Sequence, residues 1–223
     1  VSTDDRFKQT LNGPLAFIAD VHGNLAALDA VLAALRDLRA GALYVAGDVV
    51  FGGDDPLGVW MRLQEVGARC VRGPTDFALA ALEPARMKPK NDHEAARMER
   101  FLRTREALGE LILARLKRLP EALRIEMPDA TEILVVHGSP RDPAECFSHD
   151  MTDEEMYALI VDDPADLIVC GGGHIPFVRP LDAVTVACAG SVGEAPGGGV
   201  AHYTLVMPSS DGGPNIDQRW VTL

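Results

Sequence analysis

Short apolar runs alternate with amphipathic stretches from early in this chain, and no other feature constrains its fold as strongly. LAFIA (15–19) has the length and character of a buried strand. The segment NLAALDAVLAALRDL follows, with Leu25, Leu28, Leu32 and Leu35 at helical spacing and Asn24 placed to cap them. ALYVA (42–46) reads as the next strand, and Pro56 opens a helix over LGVWMRLQEV, because proline suits a first turn. RCVR (69–72) is a third strand with a short helix, DFALAAL, behind it. Strands alternating with helices imply a parallel sheet whose faces those helices cover.

The polar, proline-bearing segment EPARMKPKND (83–92) reads as a loop. Residues 93–118 then form one long amphipathic stretch or two helices broken near Gly109, with many Arg and Glu residues on what reads as a solvated face. From residue 122 the pattern turns β-rich: ALRIEM, TEILVV, DLIVC, AVTVAC, VAHYTLVM and IDQRWVTL. One helix, TDEEMYALIVD (152–162), interrupts it, and its Thr152 and Glu155 fit a capping box. Glycine-rich loops (GGGH, GSVGEAPGGG, SSDGGPN) separate the last strands. With no linker-like stretch and no internal repeat, residues 1–223 read as a single domain with a helical insertion at about 93–118. Two sheets packed together, with helices outside, is the simplest architecture.

Composition narrows the function. With 47% hydrophobic residues among 223, the chain can bury a sizeable core without disulfides. Its 21 basic and 33 acidic residues give a net charge of −12, and no Lys/Arg run stands out. Duplex nucleic acid needs a basic stripe and an anionic membrane surface needs a basic patch, so neither is an expected partner. A small phosphoester stays compatible, because a bound metal inverts the local field. Cys70, Cys146, Cys170 and Cys188 form no CxxC pair, and they are expected to be reduced core residues of a cytoplasmic protein. The polar start, VSTDDRFKQTLNG, lacks the pattern of a signal peptide, and the apolar runs fall far short of the ~20 residues of a membrane span.

The residues that carry chemistry stand just past predicted strands. Asp20-Val21-His22-Gly23-Asn24 follows the first, Gly47-Asp48 the second, His137-Gly138 the run TEILVV, and His174 the run LIVCGGG. Loops beyond the carboxyl ends of parallel strands are where open α/β sheets place ligands. An Asp and a His one residue apart can turn toward one point as the chain leaves a strand, and an Asp on the neighbouring strand adds an oxygen. Such a nitrogen and oxygen set suits Mn, Fe, Zn, Co or Ni. Any one of these residues alone would read as a loop aspartate or an interior histidine; four motifs in order at strand ends do not. His93, His149 and His202 lack that placement and read as ordinary surface or strand residues. A Rossmann-type nucleotide enzyme is disfavoured, since the first strand leads into DVHGN rather than GxGxxG.

The order DVHGN (20–24), GDVVFGG (47–53), GPTD (73–76), VHGSP (136–140), GGGH (171–174) and GSVG (190–193) resembles that of the calcineurin-like metallophosphoesterases, particularly their small bacterial phosphodiesterase branch. That pattern is DxH, GD, GNH(D/E), H and GHxH, and the resemblance runs from about residue 14 to 206. It implies an α/β fold, a four-layer αββα sandwich, and a divalent metal cofactor. In that family two metals share an aspartate, matched here by Asp48. The first metal takes residues matching Asp20, His22, Asp48 and His174, all present. The second takes Asp48, an Asn, a His matched here by His137, and the first histidine of GHxH. The Asn position is Pro74 and that histidine is Gly172, neither able to donate an electron pair. The histidine assigned to the leaving group is Thr75, a poor general acid, and losing such a group costs about 10²–10⁴ in rate.

The resemblance therefore implies one firmly bound ion and a second that is weak or absent, with Asp48 and His137 as catalytic candidates. Asn24, Ser139 and Ser191 stand in the motif loops as candidate phosphate contacts, and Arg72, Arg141 and Arg179 lie near them. Two readings stay open. One is a phosphoester hydrolase, with a phosphodiester the family's suggestion. The other is a catalytically weak or inactive binding or scaffold module, its acidic surface and residues 93–118 meeting a protein partner or a second copy of the chain.

Overall fold

A three-residue strand, β1 (Arg6–Lys8), precedes β2 (Leu15–Ile18), the first apolar run of the sequence. The structure, a computed structural model, describes residues 6–8, 13–160, 165–208 and 213–223. After β2 come α1 (Leu25–Asp37), β3 (Ala42–Ala46), α2 (Pro56–Glu65), β4 (Arg69–Val71), α3 (Pro74–Ala81) and α4 (Asp92–Lys117). The second half holds β5 (Ala122–Glu126), β6 (Glu132–Val136), α5 (Asp153–Ile160), β7 (Leu167–Cys170), β8 (Phe177–Pro180), β9 (Thr185–Cys188), β10 (Val200–Met207) and β11 (Asn215–Thr222). Most of the polar start, the last two residues of the helix expected over 152–162 and part of the SSDGGPN loop lie outside the described residues.

The strands form two sheets, ordered β11-β10-β2-β3-β4 and β1-β5-β6-β7-β9-β8. Strands β2, β3 and β4 run parallel, as do β6, β7 and β9, so each sheet has a parallel centre. Period-two alternation then sorts the side chains. Leu15, Phe17 and Ala19 point into the space between the sheets, where they meet Tyr44, Ile133, Val135, Leu167 and Val169. Phe17 and Tyr44, register partners on β2 and β3, stack with ring centroids 5.3 Å apart. Ala16 and Ile18 point the other way, onto Leu28, Val31 and Leu35 of α1 and Trp60 and Leu63 of α2. On the far side of the second sheet, Leu134, Val136 and Ile168 pack on Met156, Leu159 and Ile160 of α5. Helices, sheet, sheet and helix make the αββα sandwich that the resemblance implies. Strand β2 has to be apolar at every position because helices cover one face and a sheet the other.

The elements differ from the sequence reading in a few places. Strands β1 and β8 were not expected; Phe177–Pro180, four residues that include an arginine and a proline, forms by pairing antiparallel with β9. Helix α3 starts at Pro74, earlier than expected, because Pro74 takes the first turn and the Asp76 carboxylate accepts from the Gly73 amide at 3.1 Å. Helix α4 spans the region read as one stretch or two, with Gly109 at φ 68°, ψ 165° interrupting it. Only one side of it is solvated: Phe101, Thr104, Leu108, Leu113 and Leu116 are buried. No cysteine forms a disulfide, and Cys70, Cys170 and Cys188 are buried as expected, but Cys146 is only half-buried. Among the described residues no helix is long and apolar enough to cross a membrane.

Candidate metal centre

The loops that follow β2 and β3 run side by side. The Asp20 amide donates to the Gly47 carbonyl at 3.1 Å, the His22 amide to the Asp48 carbonyl at 3.0 Å, and the Gly23 amide to the Val49 carbonyl at 3.0 Å. This ladder holds a costly backbone. Six non-glycine residues among those described have positive φ, and four of them are Asp20 (54°), His22 (49°), Asp48 (52°) and His174 (57°). Left-handed backbone costs an ordinary residue roughly 1–2 kcal/mol. Its concentration on the four residues singled out for metal binding is the pattern expected where function over-determines conformation. Gly47, at φ 80°, serves the same loop; a Cβ there would stand 2.6 Å from Nδ1 of His137.

Around Asp20 three imidazoles converge. Oδ1 of Asp20 lies 3.6 Å from Nε2 of His174, 3.9 Å from Nε2 of His22 and 4.0 Å from Nδ1 of His137. That oxygen is buried and has no hydrogen-bond partner, whereas Oδ2 accepts from the Gly172 amide at 2.8 Å. A buried carboxylate oxygen without a donor is costly unless a cation meets it. Two of the rings are turned by backbone carbonyls: Nδ1 of His22 lies 2.7 Å from the Phe51 oxygen, and Nδ1 of His174 lies 3.2 Å from the Glu194 oxygen. Fixing Nδ1 presents Nε2 outward, as supporting contacts do for ligating histidines. The two Nε2 atoms stand 3.3 Å apart, the separation that two nitrogens take around a tetrahedral ion with bonds of about 2.0–2.1 Å. Asp20, His22 and His174 thus form one group whose ligand atoms lie within 4.8 Å of one another, and the donor set fits a borderline divalent metal. Contact with the Asp20 carboxylate, against the opposing effect of burial, pushes the His174 imidazole up to about 9.

Asp20, Asp48 and His137 form a second such group. Nε2 of His137 is 3.6 Å from Oδ2 of Asp48, and its Nδ1 is 2.8 Å from the Ala46 carbonyl oxygen. Asp20 therefore belongs to both groups, where the resemblance gives the shared role to Asp48. The other face of this half is closed. Pro74 occupies the first turn of α3, and the Thr75 amide donates to Oδ1 of Asp48 at 3.0 Å while the Thr75 hydroxyl is buried without a partner. Gly172 has φ 70°, and a Cβ built on it would collide with Sγ of Cys146 and come 3.2 Å from Nε2 of His137. Space that a longer side chain would need is taken by a thiol, itself pushed up to about 11 by burial and then by the charge of Asp20. Asp76, one residue past Thr75, is fully buried and accepts from the Val49 and Gly73 amides, tying α3 to the Asp48 loop. Burial, and after it the charge of Asp48, raises this carboxyl to about 7.

The remaining candidates are engaged locally. Asn24 caps α1 through the Ala27 amide at 3.1 Å. The Ser191 hydroxyl donates to the Asp20 carbonyl at 2.9 Å and accepts from the Glu194 amide at 2.8 Å, bracing the loop beneath the metal group. Ser139 shapes its own turn with Asp142. Arg72 reaches Glu121 and the Lys117 carbonyl, Arg141 pairs with Glu145, and Arg179 pairs with Asp153 and the His149 carbonyl. The groups that do flank the centre come from places the motifs do not mark. A cleft bordered by His22, Thr75 and Glu194 is lined on its other side by His93, Arg97 and Arg100 of α4. His93 was expected to be an ordinary surface residue, and these arginines part of a solvated face. Only helix docking brings them over the site, and no local signal in the sequence could have found them. Glu194, whose carboxylate is 3.7 Å from Nε2 of His22, sits in the GSVGEAPGGG loop and was equally unmarked.

A βα sandwich with paired Asp and His loops at its strand ends defines a metal-binding α/β protein, and residues 14–211 match the calcineurin-like phosphoesterase superfamily domain. The chain belongs to that family, whose members bind divalent metals. It is 27% identical over 165 residues to an uncharacterized protein of Methanocaldococcus jannaschii, an alignment covering 74% of this chain and 64% of that protein. A hypothetical protein from Pyrococcus horikoshii has a similar fold, with a TM-score of 0.78 and 22% identity over 94% of this chain and 87% of that one. A metallophosphoesterase from Sphaerobacter thermophilus gives a TM-score of 0.70 and 23% identity over 94% and 88%.

Proposed function

We propose that this protein is a metal-dependent phosphoester hydrolase, acting on phosphodiesters with one firmly held divalent ion. The observation that carries the reading is Oδ1 of Asp20, buried, without a donor, and faced by Nε2 of both His22 and His174. Asp20, His22 and His174 hold the ion, with Asp48 and His137 alongside. When bound, the metal supplies Lewis acidity and lowers the pKa of a coordinated water. The chain supplies the rest. Asp48 and His137, 3.6 Å apart, orient and deprotonate the attacking water. The unpartnered Thr75 hydroxyl donates to a phosphate oxygen, and Arg97 and Arg100 at the rim of the cleft attract the phosphate to an otherwise acidic protein. A water oxygen bonds to phosphorus, one ester P–O bond breaks, and the alcohol departs with a proton, leaving a phosphomonoester.

The test combines metal content with turnover. Purified with Mn²⁺, the chain is expected to retain about one ion and to hydrolyse a phosphodiester. Asp48→Asn should lower that turnover by about a hundredfold or more. The second reading, a binding module with little hydrolysis, draws on Pro74 and on Cys146 filling the space beside Gly172. Bound metal without turnover on any of a broad set of phosphoesters would sink the hydrolase and favour the module.

A further inference from the structure

Beside the candidate metal centre a second cleft, of about 430 Å³, runs between α3 and the start of α4. It shares Phe51, Thr75 and Arg97 with the cleft that reaches His22, so the two clefts adjoin. Its lining is mostly apolar, with Phe51, Ala78, Leu82, Met98 and Phe101 as walls, and the exposed Lys88 and Glu94 add one charge of each sign. Phe51 joins the two functions: its carbonyl oxygen lies 2.7 Å from Nδ1 of His22, while its ring meets Phe101 edge-on with centroids 6.2 Å apart. At the junction Arg97 carries its guanidinium 5.8 Å from the centre of the Phe51 ring. Among the described residues Arg97 has no carboxylate at ion-pair distance. An unpaired cation therefore stands where a phosphate at the metal centre would meet an arm lying in the apolar cleft.

We infer that this cleft is the subsite for one ester arm, and that the substrate is a phosphodiester carrying one uncharged, apolar arm of ring size. The inference rests on the hydrolase reading and specifies its substrate class. Polar arms are disfavoured because hydroxyl groups laid against the apolar walls lose water and gain partners only from the exposed Lys88 and Glu94 at the same cleft. The volume lies within the range of small-molecule sites, and thioether and aromatic walls suit a planar ring.

The test is calorimetric, on the full chain loaded with Mn²⁺, using phenylphosphonate and methylphosphonate, whose C–P bonds resist hydrolysis. Phenylphosphonate is expected to bind about tenfold tighter or better, since only its ring reaches the apolar walls. Ala78→Phe fills the cleft and should bring the ratio of the two affinities near one. Leu82→Glu, at an exposed position on the rim, should lower the ratio if the first variant does not fold. Equal affinities in the unmodified protein, or a ratio that survives both variants, would overturn the subsite while leaving the hydrolase reading intact. If neither phosphonate binds to manganese-loaded protein, the phosphoester reading itself fails and this inference falls with it.

Discussion

The two halves of the centre are built from the same kind of loop and end in opposite states. On one side, Asp20, His22 and His174 keep their donor atoms free and close, with rings braced by the Phe51 and Glu194 carbonyls. On the other, Asp48 and His137 stand beside Pro74, Thr75 and Gly172, where the motif resemblance would place an asparagine and two histidines, and Cys146 closes the gap. The comparison teaches that packing, as well as ligand identity, sets whether a site can hold an ion: the space a longer side chain at Gly172 would need is taken by the Cys146 thiol. A second ion there requires clearing that space first.

Removing the shared carboxylate should break the comparison most severely. Asp20→Asn keeps the shape of the side chain and its acceptance from the Gly172 amide, so the fold should persist. Metal affinity should nevertheless drop by about a hundredfold or more, because both groups lose their common charge. Chelator competition measures it, and retention of the ion by the variant would mean that the two halves bind independently.

Next in size is the effect of pH on the intact half. In the metal-free protein the Asp20 contact raises the His174 imidazole to about 9, and a metal needs that ring neutral. Affinity should therefore rise with pH and level off near 9, changing by about tenfold per unit below it. The same shift has a stability consequence of definite sign. The folded-state value lies above the ordinary imidazole value of 6.5, so the protonated ring stabilises metal-free protein fully below 6.5 and ceases to as pH passes 9. Chelator competition across pH 6–10 checks the first point, and thermal melts of metal-free protein the second.

The smallest effect sharpens the account of the half that holds Asp48 and His137. Gly172→His alone should destabilise the fold by roughly 1–3 kcal/mol, since its Cβ collides with Cys146 at a left-handed backbone position. Adding Cys146→Ala should recover most of that loss. A second bound ion is expected only when Pro74→Asn and Thr75→His accompany this pair, as metal stoichiometry would reveal. A second ion in Gly172→His without the cysteine change would show that the thiol does not block the site.

Much of this was legible in the chain itself. The apolar run Leu15–Ile18 is a strand buried on both faces because none of its side chains tolerates water on either side. DVHGN and the GD at Asp48 could be placed at strand ends because hydrophobic runs stop just before them. That Pro74, Thr75 and Gly172 depart from the motif pattern is a matter of residue identity, and identity needs no structure. Helix α3 starts two residues earlier than expected: Pro74 fills its first turn and Asp76 accepts from the Gly73 amide, both local features, and only the Asp76 contact with the Val49 amide reaches the Asp48 loop.

What the sequence determined alone was therefore the order of elements and the inventory of donors. Both follow from local rules: solvation along a strand or helix, and the chemistry of each side chain. The tertiary structure alone decided which groups share space. It put Asp20 rather than Asp48 in both metal groups, set Cys146 against Gly172, and laid Arg97 and His93 of α4 over a centre formed by residues far away in the chain. Those distances are fixed by helix docking and sheet packing, which join segments through contacts that no stretch of sequence contains within itself.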